Sequence, residues 1–235
     1  MAEMSEEGEY RSNNHNGNGE KVPLSLKAYD MIMNMIMTGQ LRMGQSITED
    51  MLKNQLGMSK TPIREAIISL ENDGIISKMG RFYNIVYLTK EQINEIYEFK
   101  AELEALAAYF ATIRMSAAMK RNLKQINDKI ARMSTEDADP IALANLSGKL
   151  HALIAKGSGN SYIEKEINML RLRLRIVRIT IFTSAGRRSE EKEEHEEITQ
   201  AILSNDPKKA AEAMRKHQLD VWEYVKREIV PKLYY

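Results

Sequence analysis

Cysteine is absent from the 235 residues, so neither a disulfide framework nor a thiolate, as metal ligand or as nucleophile, is open to this chain. Also missing is any apolar run approaching the ~20 residues that a membrane-spanning helix requires. A hydrophobic share of 43% beside 29% charged residues is the balance of a soluble globular protein. The chain opens with no basic, then apolar, then small-residue signal, which makes the cytoplasm its expected address. A charge excess is lacking as well. The formal net charge is +1, so binding to nucleic acid or to an anionic membrane has to come from a local patch. No internal repeat is visible. The length suits one large or two ordinary domains, with two the better expectation, and composition alone names no function.

Residues 1–20 hold Glu3, Glu6, Glu7, Glu9 and Glu20 against Arg11, and an Asn/Gly run with His15. Almost nothing there can be buried, which predicts a disordered tail. From Leu24 the pattern changes. Ala28, Met31, Ile32 and Met35 recur at helical spacing, and Thr38-Gly39 supplies the stop. Ile47 and Leu52 then flank Thr48 as a hydrophobic staple around an N-cap, and Met51, Leu52, Gln55 and Leu56 share one face of a short second helix. After Gly57-Met58-Ser59, a third helix has Ser59 as N-cap, Pro62 in its first turn, Ile63, Ala66, Ile67 and Leu70 on one face, and Gly74 at its end. Two runs rich in β formers, 75–78 and 82–88, follow as a hairpin around Met79-Gly80-Arg81. Residues 21–88 therefore read as a winged helix-turn-helix.

From Lys90 onward only helical periodicity is found, with breaks near 135–140, 157–160, 184–189 and 204–207. Asp139-Pro140 and Asp206-Pro207 each place an N-cap acid before an N1 proline. The expected fold is mainly α: the winged helix-turn-helix, then an all-α bundle of about six helices over 90–235. The short junction near Thr89 couples the two parts closely.

A helix-turn-helix lays its second helix in the major groove, so residues at that helix's N-terminus and outer face reach base edges and phosphates. Lys60, Thr61 and Arg64 are placed to do so, and the planar fork of Arg64 suits the paired acceptors of one guanine. Arg81 at the hairpin tip approaches an adjacent groove or backbone. The plainer reading of such residues is a solvated face, with Arg64 paired to an acid such as Glu65 or Glu71. Basic residues exceed acids only slightly between Lys21 and Arg81, so the case rests on the ordered string of elements.

That string, Leu56-Gly57-Met58-Ser59-Lys60-Thr61-Pro62-Ile63-Arg64-Glu65-Ala66 followed by Leu70, Gly74 and Gly80-Arg81, resembles the signature of the GntR family of bacterial transcriptional regulators. The resemblance implies that Lys60, Thr61 and Arg64 contact DNA and that Gly80 and Arg81 make the wing contacts. Two departures stand out. Met43-Gly44 replaces the family's usual Pro-Gly, and Asp50 stands where some members have an arginine, which implies a different operator preference.

Three of the four histidines, His151, His195 and His217, fall on inward faces of bundle helices. Ser147 and Gly148 leave room beside His151. Three imidazoles from three helices can converge on one divalent ion, Zn²⁺ or a similar cation. Equally, a histidine on an apolar face is often a satisfied core residue, and these three have no diagnostic spacing. The bundle is similar to the FCD ligand-binding domain of the FadR-type branch of the same family, through Lys100-Ala101-Glu102-Leu103-Glu104, Leu150-His151, Ser158-Gly159-Asn160, the run from His195 to Ile202, and Ala213-Met214-Arg215-Lys216-His217. In metal-binding members three histidines and an aspartate hold the ion. The resemblance puts His151, His195 and His217 on the histidines, and Ser147 on the place of the aspartate. A neutral serine implies a weaker and more positive site, whose coordination an anionic effector can complete.

Lys100 stands where many members direct an arginine into the effector pocket; an ammonium attracts a carboxylate but lacks the bidentate fork. The run from Leu170 to Arg178 alternates like a strand, yet its surroundings predict a helix. At 100° per residue Arg171, Arg175 and Arg178 share a face, with Arg173 opposite, so that Arg171 and Arg175 can join Lys100 and Ser147 in an organic-acid pocket. The duller alternative pairs these arginines with Glu102, Glu104 or the 190–197 acids.

The leading expectation is therefore a regulator that binds a palindromic operator as a homodimer and releases it when a small carboxylate-like effector binds. A metal-dependent hydrolase built on the three histidines is the alternative. It needs a general base, and no His-Glu-x-x-His spacing occurs. A protein-interaction scaffold is a third, weaker reading.

Overall fold

The computed structural model of the protein describes residues 22–38, 40–134 and 139–233. The tail expected over 1–20 and the predicted helix stop at Gly39 lie outside the described residues.

The N-terminal part is α1 (Leu24–Met37), β1 (Ser46–Ile47), α2 (Glu49–Leu56), α3 (Lys60–Asn72), β2 (Ile76–Met79) and β3 (Phe82–Ile85). Thr48 caps α2, its side chain accepting from the Met51 amide, while Ile47 and Leu52 close over it, both fully buried. Gln55, expected on the inner face of α2, is exposed; an eight-residue helix buries only Leu52 and half-buries Met51 and Leu56. Gly57 ends α2 at φ +64, the left-handed conformation that lets the chain turn into α3. In α3, Pro62, Ile63, Ala66, Ile67 and Leu70 face inward. Ile63 and Ile67 are both sealed from solvent, and truncating either to alanine costs about 2–5 kcal/mol. The hairpin pairs β2 with β3 antiparallel, Met79 opposite Phe82. Ser46–Ile47 adds a third strand on the other side of β3, giving the order β1-β3-β2. This two-residue strand is too short to leave an alternating pattern in the sequence.

Thr89 caps the next helix with a capping box, accepting from the Gln92 amide while the Gln92 side chain accepts from the Thr89 amide. There follow α4 (Lys90–Arg114), α5 (Ala117–Met133), α6 (Pro140–Gly157), α7 (Ser161–Arg173), α8 (Arg175–Ile181), α9 (Ala185–Leu203) and α10 (Pro207–Tyr224), then a π-helical segment (Val225–Ile229) and α11 (Val230–Leu233). Both Asp-Pro pairs act as read: Asp139 and Asp206 cap α6 and α10, each with proline in the first turn. The arginine run is helical, as expected, but breaks at Leu174, which divides α7 from α8.

The architecture is thus mainly α, a winged helix-turn-helix followed by a helical bundle. The apolar core of the N-terminal part is not closed by its own elements. Leu143 and Ala144 of α6, with Ile176, Ile179 and Phe182 from α8 and its end, join Ile32, Ile47, Ile63, Ile67 and Leu70 in one cluster. A second cluster lies between α4, α5, α6, α9 and α10, and a third surrounds Tyr97, Val177 and Trp222.

Candidate functional site

Two constellations stand out. The first is the outer face of α3. With its aliphatic side sealed, Lys60, Thr61 and Arg64 stand exposed, and so do Gly80 and Arg81 in the hairpin turn. Gly80 has φ +62 with open space around it, so the tight turn rather than crowding requires glycine there. Arg64 does not reach Glu65 or Glu71. It is held by Glu49 on α2, Nε donating to Oε1 at 2.9 Å and Nη2 to Oε2 at 2.8 Å. These hydrogen bonds hold the Glu49 carboxyl below the usual carboxylate range. Lys60 lies 2.7 Å from Asp50. Both cations of the recognition helix are thus held by neighbouring acids of α2, a pairing across the turn that residue spacing within α3 gave no means to foresee.

The second constellation lies inside the bundle. His151 from α6, His195 from α9 and His217 from α10 are all buried, and one ring nitrogen from each lies within 4.8 Å of the others. His151 Nε2 and His195 Nε2 are 3.3 Å apart, and Ser147 Oγ is 3.4 Å from the same His195 atom. The outer nitrogens of two rings are held by carboxylates: His151 Nδ1 donates to Glu104, and His217 Nδ1 donates to Glu194 Oε2 at 2.5 Å. Burial alone would raise both carboxyls. The His151 ring and the Lys100 ammonium outweigh it at Glu104, well below the usual range; hydrogen bonds from His217 and Arg187 hold Glu194 down at about 2. Ionised carboxylates can only accept, so Nδ1 carries a proton in both rings, and in His151, which burial keeps neutral, Nε2 is left as a lone pair. Burial pushes the His151 imidazolium down to about 3, despite Glu104, and holds His195 well below its ordinary value.

Three imidazoles turned toward one another, two of them backed by carboxylates, match the donor chemistry of a divalent-cation site and its outer hydrogen bonds. Among the described residues none hydrogen-bonds the buried His195 Nδ1. Ser147 Oγ accepts from Arg178 Nη2 at 2.6 Å, so a guanidinium stands against this neutral hydroxyl.

A small cavity of about 30 Å³ beside the histidines is lined by Tyr97, Lys100, Ser147, Arg171, Arg178 and Glu191, among others, and is sized for about one water. Lys100 is buried, 2.7 Å from Glu104, and donates to Gln218. A second lobe of about 210 Å³ adjoins it, lined by Asn145, Asn168, Arg171, Arg175 and Arg178. Arg173 is exposed on the opposite side, as the 100° reading expects. None of the three pocket arginines forms a salt bridge with Glu102, Glu104 or the 190–197 acids, though Glu191 and Glu104 act on Arg178, and Glu104 on Arg171, from further away. Arg171 donates to Asn168, Arg178 to Ser147, and Arg175 meets Asp73. The sequence reading did not single out Glu104, Glu194, Gln218 or Glu49 as functional. The one available signal was the Lys100 to Glu104 spacing of one helical turn.

Both parts of the chain match known protein families. Residues 24–81 match the model of the gntR family of bacterial regulatory proteins, and residues 95–220 match the FCD domain. The uncharacterized HTH-type transcriptional regulator YdhC of Bacillus subtilis is 29% identical over 203 residues, covering 84% of this chain and 87% of its own. The transcriptional repressor GlaR of Escherichia coli is 21% identical over 203 residues, covering 83% and 92%. In fold, E. coli McbR/YncC superposes with a TM-score of 0.61 at 21% identity, covering 91% of this chain and all of that one. A regulator from Rhodococcus sp. RHA1 gives 0.61 at 16% identity, covering 87% and 98%. With the helix-turn-helix match followed in order by an FCD match over more than half of its length, this chain belongs to the GntR family of bacterial transcriptional regulators, in the branch that carries an FCD domain.

Proposed function

We propose that the protein is a homodimeric repressor that reads a palindromic operator with residues 21–88 and binds a small organic acid within residues 90–235, which also carry the dimer contact. The observation that carries the DNA half is α3 itself: its aliphatic side is locked into the core while Lys60, Thr61 and Arg64 face solvent. Lys60 sits at the helix mouth, where the dipole favours phosphate, and Arg64 and Thr61 address base edges. Gly80 and Arg81 approach the neighbouring groove. Repression is the sense suggested by relatives named as repressors, GlaR among them.

In the bundle, His151, His195 and His217 would hold a divalent ion such as Zn²⁺, which when bound supplies a doubly positive anchor for a carboxylate. Glu104 and Glu194 fix the ring orientations and tautomers. Lys100, Ser147, Arg171 and Arg175 bind and orient the acid, with Arg178 supporting Ser147. The hydrolase alternative has weaker support. Glu104 and Glu194 are engaged with the outer ring nitrogens, and neither lines the cavity beside the histidines as a general base.

The test is a fluorescence titration of a duplex from upstream of the gene, at moderate salt, with the wild type and with a Lys60→Ala/Arg64→Ala variant. Affinity lost in the variant, and lost more steeply for the specific duplex than for a scrambled one, supports the reading. Equal binding by both proteins overturns it.

A further inference from the structure

Arg175, the first residue of α8, belongs to two sites at once. Its guanidinium lines the larger lobe of the effector pocket, and its Nη2 lies 3.2 Å from Asp73 Oδ2 and 3.2 Å from the Tyr29 hydroxyl. Asp73 is the C-cap of the recognition helix, and Tyr29, on α1, donates to the same Asp73 oxygen at 2.5 Å. One carboxylate therefore ties the far end of α3 to the wall of the pocket. A second contact lies beside it. Gly74, at φ +68, packs so closely on Leu172 that a Cβ would meet the Leu172 side chain and carbonyl at 3.1–3.2 Å. Ile176 and Ile179 extend the contact into the core shared with Ile63 and Ile67.

The charge balance of the lobe is incomplete. Arg171, Arg175 and Arg178 converge there, and each has a buried Nε with no hydrogen-bond partner. Among the described residues only Arg175 has a carboxylate in salt-bridge range, namely Asp73; Arg171 and Arg178 are met by the neutral Asn168 and Ser147. Burial, and then the neighbouring Arg178, bring Arg171 down to about 10 against the opposing pull of Glu104. Glu191 and Glu104 act on Arg178, and Glu104 on Arg171, only from beyond salt-bridge range, so two guanidinium groups are left with no carboxylate in direct contact.

We propose that a small anion carrying two or more negative charges fills this lobe and draws Arg175 away from Asp73, and that this exchange is how the pocket acts on the recognition helix. The proposal rests on the effector reading above and adds to it the charge of the ligand and the contact that transmits it. In the empty pocket the Arg175–Asp73–Tyr29 cluster fixes the end of α3. With Arg175 engaged by the anion, Asp73 retains only Tyr29, and the packing of α8 against the DNA-reading unit loses its ionic tie. Anion and operator then oppose each other by the same factor, since coupling between two ligands is reciprocal.

The experiment uses the full chain and three probes: succinate, inorganic phosphate, and acetate as the single-charge control. Calorimetry gives their affinities, and fluorescence anisotropy gives operator affinity with and without each. The expected result is binding of succinate or phosphate but not acetate, with operator affinity lowered about five-fold or more. Succinate alone points to a polycarboxylate, phosphate alone to a phosphate compound, and either supports the proposal. Asp73→Asn removes the competitor for Arg175, so it should bind the same probe several-fold more tightly, and its operator affinity should no longer respond. Tyr29→Phe, which keeps the carboxylate but loses its hydroxyl partner, should shift both in the same direction by less. If the probe binds and weakens operator binding in both variants as in the wild type, the Arg175–Asp73 exchange is wrong and the effector reading survives. Acetate binding as well as the dianions removes the two-charge requirement, and failure of every probe to bind the wild type overturns both.

Discussion

Glu49 and Arg64 meet through two parallel hydrogen bonds of 2.9 and 2.8 Å, a bidentate clamp that joins α2 to the exposed face of the recognition helix. The clamp uses the Nε edge of the guanidinium and leaves its other N–H donors, on a side chain that stays 61% exposed, for a guanine edge to accept. Glu49 is a positioning residue on this account. Glu49→Gln keeps the shape and loses the paired acceptors, so discrimination between the best operator and a single-base variant should fall about ten-fold while the melting temperature stays unchanged. Competition binding with the two duplexes, beside a thermal melt, checks both halves. Unchanged discrimination would show that Arg64 needs no such support.

Gly148 makes space for Arg171: a Cβ built there would lie 2.5 Å from the Arg171 Nη2. Because the obstacle is the end of a flexible side chain, Gly148→Ala should displace the guanidinium rather than the helix. Stability should hold or rise by about 0.5–1 kcal/mol from helix propensity. Anion affinity should fall about ten-fold, the loss of one charge-assisted hydrogen bond. Calorimetry with succinate or phosphate on a variant that melts normally makes the comparison.

The facing imidazole nitrogens predict a thermal response to metal. Protein stripped with chelator should gain about 2.7 kcal/mol of stability when Zn²⁺ is supplied at about a hundred times its dissociation constant. A His151→Ala/His195→Ala variant should gain nothing. An equal gain in that variant would place the ion elsewhere.

Burial of His151 and His195 also has a pH consequence for the stripped protein. Their folded values lie below the unfolded value of about 6.5, His151 at about 3, so below about pH 6.5 the unfolded chain takes up protons that the folded one refuses. Stability is therefore constant above that point and falls as pH drops, by up to about 1.4 kcal/mol per pH unit for each ring. Urea unfolding at about pH 7.5 and about pH 5.5 measures it; identical midpoints would mean that the rings protonate freely in the fold.

Much of this was legible in the residues because local rules wrote it there. Thr48, Asp139 and Asp206 announce helix starts through their own chemistry, and the spacing of Ile63, Ala66, Ile67 and Leu70 fixes which side of α3 is buried and hence where Arg64 points. The inward faces of α6, α9 and α10 likewise put three histidines inside. What spacing within one helix cannot give is the partner from another. Glu49 for Arg64, Glu194 for His217 and Asp73 for Arg175 are separated by 15 to 102 residues or set on different helices, and only packing brings them together. The strand β1 was missed for a similar reason: two residues pair with β3 because the hairpin presents an open edge, not because Ser46–Ile47 form a strand by themselves.

The central claim is that α3 reads a specific duplex, and selection from a pool of random duplexes by the full-length protein tests it most directly. The account predicts enrichment of an inverted repeat whose half-sites lie about one helical turn apart, with one base position in each half relaxed when Arg64→Ala is used in place of the wild type. A pool that stays random under the wild-type protein, or the same enriched repeat with the same stringency under Arg64→Ala, would contradict it.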